Sequence, residues 1–206
     1  MSNARKKGRE EPSLRLFKSD FLEFFTHISP VTVLVVFLPL IGWLIWLSIR
    51  AGINGWQLIG LFALGVVIRT PTEYILHRFL FHFHPKNPSE LTQRIFFLMH
   101  GIHHDQPRDK TRLVMPPPVS LPLSGLFFLA FRLIMGNAAF ALFAGFLLGY
   151  VIYDMMHYAL HHLTYEGRAF KALRKHHALH HHKTPDQRFG VSSMLWDRVF
   201  RTLPAD

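Results

Sequence analysis

Hydrophobic residues gather in four long runs, separated by short breaks and by two longer polar stretches rich in histidine. The first run, 31–49 (VTVLVVFLPLIGWLIWLSI), is nearly continuous. At a helical rise of about 1.5 Å per residue it approaches the roughly 30 Å hydrocarbon thickness of a bilayer. Pro39 within it predicts a kink of the kind membrane helices tolerate. A turn over 50–55, with Asn54-Gly55, leads into a second run at 56–76 that starts at Trp56, a residue suited to a membrane interface. The third run, 119–135, carries Arg132 near its end, placed to snorkel. Gly136-Asn137 then turns the chain into a fourth run at 138–156. Short connections predict two helical hairpins. Arg69, Pro71, Pro122 and Arg132 interrupt the second and third runs, which leaves those two open to a re-entrant or half-buried path.

The expected fold is an all-α integral membrane protein with about four transmembrane helices. A basic segment, 1–30, would precede a membrane domain, 31–206, whose polar stretches 77–118 and 157–206 form a helical cap. The basic start, Arg5-Lys6-Lys7, is compatible with a signal peptide. However, the apolar run begins late, is too long, and lacks a small-x-small cleavage site, so an uncleaved anchor is expected.

Composition supports a membrane protein and argues against nucleic acid. Half of the 206 residues are hydrophobic and only 17% are charged, an apolar excess beyond what one small core needs. The formal charge of +10 is not gathered into one patch but flanks the apolar runs. Lys and Arg number six in 1–20, six in 77–118 and eight in 158–206, whereas the two proposed outer turns hold only Arg50. The positive-inside rule therefore puts both termini and the cap in the cytoplasm.

All of the tight histidine clusters then fall on that one side. Fifteen histidines accompany no cysteine, so a metal here is held by nitrogen and oxygen. The clusters read His77-x4-His82, His100-x2-His103-His104, His157-x3-His161-His162 and His177-x2-His180-His181. On a helix, residues three and four apart share a face, so each H-x-x-H-H presents three imidazoles to one side. His77 and His82, five apart, lie about 140° around an ideal helix and either serve different metals or bracket a bend. One metal cannot use ten ligands and two can use about five each, so the pattern argues for a dimetal centre in the cap. His27, His84, His176 and His182 lie off the pattern and read as structural; His162 is undecided.

Carboxylates add candidates behind the rings. Glu73 precedes His77 by four and Asp154 precedes His157 by three, so each can face its histidine and accept from the nitrogen that does not bind metal. Ion pairing with Arg69 or Arg78 is the competing role for Glu73. Asp105 and Asp109 read as solvated. Arg78, Arg108, Lys110, Arg112 and Arg174 are either ligands for a phosphate or carboxylate or simple topology signals. No H-E-x-x-H, G-x-S-x-G, P-loop or dinucleotide fingerprint is present. A membrane metal-binding or transport protein is the rival class. A transporter, though, should put its ligands near the bilayer midplane within inverted repeats, and here they lie at helix ends in unlike halves.

Glu73-Tyr-Ile-Leu-His77 through His82, His100-Gly-Ile-His103-His104 with Arg112-Leu-Val-Met-Pro-Pro117, and Tyr153-Asp154 with His157-Tyr-Ala-Leu-His161-His162 are similar to one known family. So are His177-Ala-Leu-His180-His181 and the closing stretch 189–202. The chain resembles the membrane fatty acid hydroxylase and sterol desaturase superfamily, and within it the fatty acid 2-hydroxylases. The resemblance implies ten metal ligands: His77, His82, His100, His103, His104, His157, His161, His177, His180 and His181. It also implies two iron ions (zinc being possible in purified protein), O2 as co-substrate, and a lipid or long fatty acyl substrate hydroxylated at carbon 2. Sterol or carotenoid hydroxylation or desaturation is the alternative within the same superfamily. Many eukaryotic relatives carry a fused cytochrome b5 domain with His-Pro-Gly-Gly; here only His84-Pro85-Lys86 appears, so a separate donor such as a cytochrome b5-like protein or a ferredoxin is expected. Arg201 stands where close relatives usually show glycine.

Overall fold

The computed structural model describes residues 13–204, all helix and loop with no strand among them. Arg5, Lys6 and Lys7 lie outside the described residues. A short helix, α1 (Asp20–Phe24), precedes α2 (Pro30–Arg50), whose start is set by Ser29 accepting from Val31 N and by Pro30 in the first turn. Gly52, at φ +82°, reverses the chain. Next comes α3 (Gly55–Ile75), opened by a reciprocal cap in which Asn54 accepts from Gln57 N and Gln57 from Asn54 N. It runs on without a break as a π-helical segment, Leu76–Phe81.

Further along, α4 (Glu90–Phe96) likewise passes through a π-helical segment, Phe97–Gly101, into α5 (Ile102–Asp105). Then follow α6 (Pro117–Met135) and α7 (Ala139–His162), joined by a single 3-10 turn at Gly136–Ala138, and finally α8 (Arg168–His182) and α9 (Leu195–Val199). Three stretches are long and apolar enough to cross a membrane: Pro30–Arg50, Gly55–Phe81 and Pro117–His162. The last, 46 residues long, contains both α6 and α7.

α7 is the central helix and packs along α2 and α3. Val33, Phe37, Ile41 and Leu44 of α2 are buried together with Phe143, Phe146, Leu147 and Tyr150 of α7. The outer faces of α2 and α3 carry exposed Val35, Leu38, Trp43, Trp46, Ile59 and Val67, a surface suited to lipid rather than water. Trp56, expected at an interface, is 85% exposed at the start of α3. Arg69, which interrupts the second apolar run, does not face lipid. It is buried against α7 with its guanidinium over Tyr153 (5.0 Å), Phe146 and Tyr150.

Two glycines let α3 and α7 approach this closely. A Cβ on Gly65 would lie 1.9 Å from the Leu142 carbonyl oxygen, and one on Gly145 would lie 1.9 Å from that of Phe62. Backbone cannot yield as a flexible side chain can. Gly145→Val is therefore expected to cost about 3 kcal/mol or more, read as a lowered melting temperature in detergent. Gly42→Ala, in open space on α2, should leave melting nearly unchanged.

The segment before α2 is tied to the loop after α5. Ser13 Oγ donates to Asp109, Leu14 N to Gln106, and Ile28 N to the Thr111 carbonyl. Phe21 and Phe24 of α1 remain more than two-thirds exposed.

Candidate metal centre

The ten sequence-predicted histidines come together and divide into two groups of five. His77, His82, His100, His104 and His180 form one; His103, His157, His161, His177 and His181 form the other. Within each group, one ring nitrogen per residue lies within 4.8 Å of all the others. The groups adjoin: the rings of His104 and His181 stack at 4.2 Å between centroids.

This partition differs from the expectation that each H-x-x-H-H motif aims all three rings one way. His100 and His104, four apart, enter one group while His103 enters the other. The second motif mirrors it, with His177 and His181 together and His180 across. Each motif therefore bridges the two groups. His77 and His82, by contrast, share one group although an ideal helix would separate them. The π-helical segment explains it: His82 N donates to the His77 carbonyl at 3.1 Å, and residues five apart come into register. His27, His84, His176 and His182 stay outside both groups, and so does His162.

The donor set fits a metal ion. Imidazole nitrogens about 2.0–2.1 Å from a common ion lie at most about 4.2 Å apart, close to the spacing present here. The rings meet by Nε2: His77 and His104 each lie 3.1 Å from His100, His82 lies 3.1 Å from His180, and His103 lies 2.8 Å from His157. Burial first, with neighbouring imidazoles adding to it, holds the rings outside the apolar spans neutral, while at His180 the bond to the Gln187 carbonyl works against that shift. His82 is pushed down to about 2, His104 to about 3 and His180 to about 4; His100, His103, His177 and His181 are lowered as well. Neutral lone pairs converging in a buried space are satisfied by a cation, not by one another.

Backbone carbonyls fix two of the rings. His77 Nδ1 donates to Phe189 O at 2.5 Å and His180 Nδ1 to Gln187 O at 2.7 Å, so each Nε2 is left as the free donor to a metal. Both carbonyls belong to the segment between α8 and α9, which is itself strongly held. The fully buried Asp197 accepts from Phe189 N, Gly190 N, Thr202 Oγ1 and His176 Nε2 at 2.7–3.0 Å. Tyr74 OH lies 2.9 Å from Thr202 Oγ1 and accepts from Arg78. A side chain at Gly190 would strike the Ser193 carbonyl at 2.1 Å. Arg201 sits at φ +55°, a left-handed backbone that favours glycine.

The two carboxylates expected behind the rings do otherwise. Glu73 accepts from Val191 N and Ser192 N at 2.9 Å and from the Ser192 hydroxyl, not from His77. It anchors the segment that carries the Phe189 carbonyl, so its effect on His77 passes through backbone. Asp154 is buried, and its Oδ2 has no hydrogen-bond partner among the described residues, His157 included. It lines an apolar cavity of about 280 Å³ that touches the centre at His100, His103 and His157 and is walled by Phe81, Leu98 and Val119 among others. Sequence reasoning gave Asp197, Thr202 and Tyr74 no role. Their only signal was membership of the motif-bearing stretches.

Residues 62–202 match the profile of a family described as fatty acid hydroxylase. A dihydroceramide fatty acyl 2-hydroxylase of Arabidopsis thaliana is 41% identical over 191 residues, covering 92% of this chain and 80% of the relative. A fatty acid 2-hydroxylase of Rattus norvegicus is 39% identical, covering 92% of this chain and 56% of the longer rat protein. The solved structure of full-length scs7p, in which only the hydroxylase domain is visible, superposes with a TM-score of 0.85 at 39% identity, over 90% of this chain and 70% of that one.

Proposed function

Since this chain belongs to the fatty acid hydroxylase family, we propose that it is a membrane-bound, O2-dependent hydroxylase placing a hydroxyl on carbon 2 of a long fatty acyl chain. The observation that carries the reading is the pair of five-histidine groups at the wall of an apolar cavity. Two iron ions held by His77, His82, His100, His104 and His180 and by His103, His157, His161, His177 and His181 would supply O2 activation, with two electrons and two protons converting C–H and O2 to C–OH and water.

The protein's own part is positional. Neutral rings, two of them pinned through Nδ1, present lone pairs without first losing a proton. No cysteine stands nearby to be consumed by a strong oxidant. Apolar side chains around His100, His103 and His157 exclude water from the reacting segment of the acyl chain. In this reading α2, α3, α6 and α7 each cross the bilayer, residues 31–206 are one hydroxylase domain, and the histidine cap faces the cytoplasm, an orientation supported by the Lys and Arg distribution. Electrons come from a separate carrier of the cytochrome b5 or ferredoxin kind.

Mass spectrometry of total lipids from cells expressing the chain, against a His180→Ala control, tests the reading. A lipid gaining one oxygen at acyl carbon 2 only with the unaltered protein is the expected result. Loss of two hydrogens instead would make the protein a desaturase. No change in any lipid, with iron and a reductant present, would count against the enzyme.

A further inference from the structure

One buried cation stands on the wall of the apolar cavity. Arg112, in the loop between α5 and α6, has a side chain only 2% exposed and lines the same cavity as His100, His103 and His157. Its Nη2 donates to Glu23 Oε1 at 2.6 Å and lies 3.0 Å from His27 Nε2. Its Nε is 3.7 Å from Asp109, beyond hydrogen-bond distance. Nη1 is buried with no partner among the described residues. An arginine has only donors and keeps its charge, so a buried N–H of this kind calls for an acceptor oxygen. Among the described residues the chain supplies none at Nη1, and the Arg112 side chain forms part of the cavity wall.

Charge narrows the class of that acceptor. Arg112 already faces two carboxylates. Glu23 is held below its ordinary range: burial pushes it up, but the N–H groups of Phe17 and Leu16, and then Arg112 itself, outweigh that. Asp109 is held low in the same way, burial being outweighed by the Ser13 and Thr111 hydroxyls. Asp154, the other acid on the cavity wall, offers an anion no attraction either. A free carboxylate would be the third negative group around one guanidinium, whereas a neutral carbonyl oxygen meets no such repulsion.

We propose that Arg112 Nη1 donates to the carbonyl oxygen of an acyl chain in amide or ester linkage. The residue thereby sets how far the chain runs toward His100, His103 and His157, and so which carbon they face. Phe17, Leu22 and Phe25 complete the cavity wall from the segment before α2, and the Glu23–Arg112 pair holds that segment in place. The proposal rests on the hydroxylase reading for the identity of the chain, but it is tested by binding, which needs no turnover.

The experiment compares radiolabelled N-palmitoyl sphingoid base with free palmitate, each bound to metal-loaded full-length protein in detergent. The unaltered protein should prefer the amide. Arg112→Met should weaken amide binding roughly tenfold to a hundredfold, with palmitate binding not reduced and both metals retained. Glu23→Gln keeps the guanidinium, removes one negative charge, and should shift preference toward palmitate; it decides the matter if Arg112→Met fails to fold. The proposal is overturned if Arg112→Met binds the amide as tightly as the unaltered protein, if palmitate is preferred from the start, or if neither ligand binds. Arg112-dependent binding without any lipid hydroxylation would instead count against the enzymatic reading alone.

Discussion

Alanine in place of His180 is expected to reduce bound metal from two ions per chain to about one and to lower hydroxylation by more than about 100-fold. His180 is wholly buried; its Nδ1 is committed to the Gln187 carbonyl and its Nε2 faces His82 at 3.1 Å. Removing it leaves four rings in its own group and all five in the neighbouring one. Elemental analysis of the purified protein, alongside turnover, measures both effects. Two neighbours in sequence and space serve as controls. His182→Ala, exposed and outside both groups, should change neither quantity. His176→Ala, buried but bonded to Asp197, should keep both metals bound and cost stability instead. Two tightly held ions in His180→Ala would mean that the rings are not the ligands.

The second large effect lies at a residue that touches no ring of either group. Asp197→Ala is expected to destabilise the protein by about 3–5 kcal/mol, a fall in melting temperature of roughly 10 °C. It would strand two backbone N–H groups, a hydroxyl and the His176 imidazole, all bonded to this carboxylate in the buried interior. It would also free the Phe189 carbonyl that orients His77, so metal should leave the His77 group about 10–100-fold more readily. Asp197→Asn, which keeps one acceptor oxygen, should fall between the two.

Acid adds a further check. Burial raises the Asp197 pKa, but His176, Thr202 and Gly190 together hold it below the ordinary value. As pH falls the unfolded chain takes up the proton first. The contribution is therefore full above about pH 4 and is lost below it. Unchanged melting in Asp197→Ala would show that the 187–202 segment does not depend on this carboxylate.

Local sequence determined the helices. Runs at 31–49 and 119–135 became Pro30–Arg50 and Pro117–Met135 because long apolar stretches bounded by Ser29, Gly52 and Gly136 leave the backbone few other ways to satisfy its hydrogen bonds. Eight of the ten histidines were legible for a related reason: three- and four-residue spacing is local, and imidazole chemistry belongs to the residue itself; only His77 and His82, five apart, fell outside that period.

The tertiary structure alone decided which rings meet. His100 and His104 part from His103 because packing from α3, α7 and α8 brings partners to both flanks of α5, and one helical face can serve two centres. A π-helical segment, invisible to a pattern read at the α-helical period, brought His77 and His82 together. Glu73 and Asp154 were misplaced for the opposite reason: helical spacing put them near their histidines, but Glu73 found backbone N–H groups 118 and 119 residues away. The acceptors that do orient His77 and His180 are main-chain carbonyls. Every residue carries one, so no side-chain pattern can single out Phe189 or Gln187; only the packed course of the chain from α8 to α9 aims them.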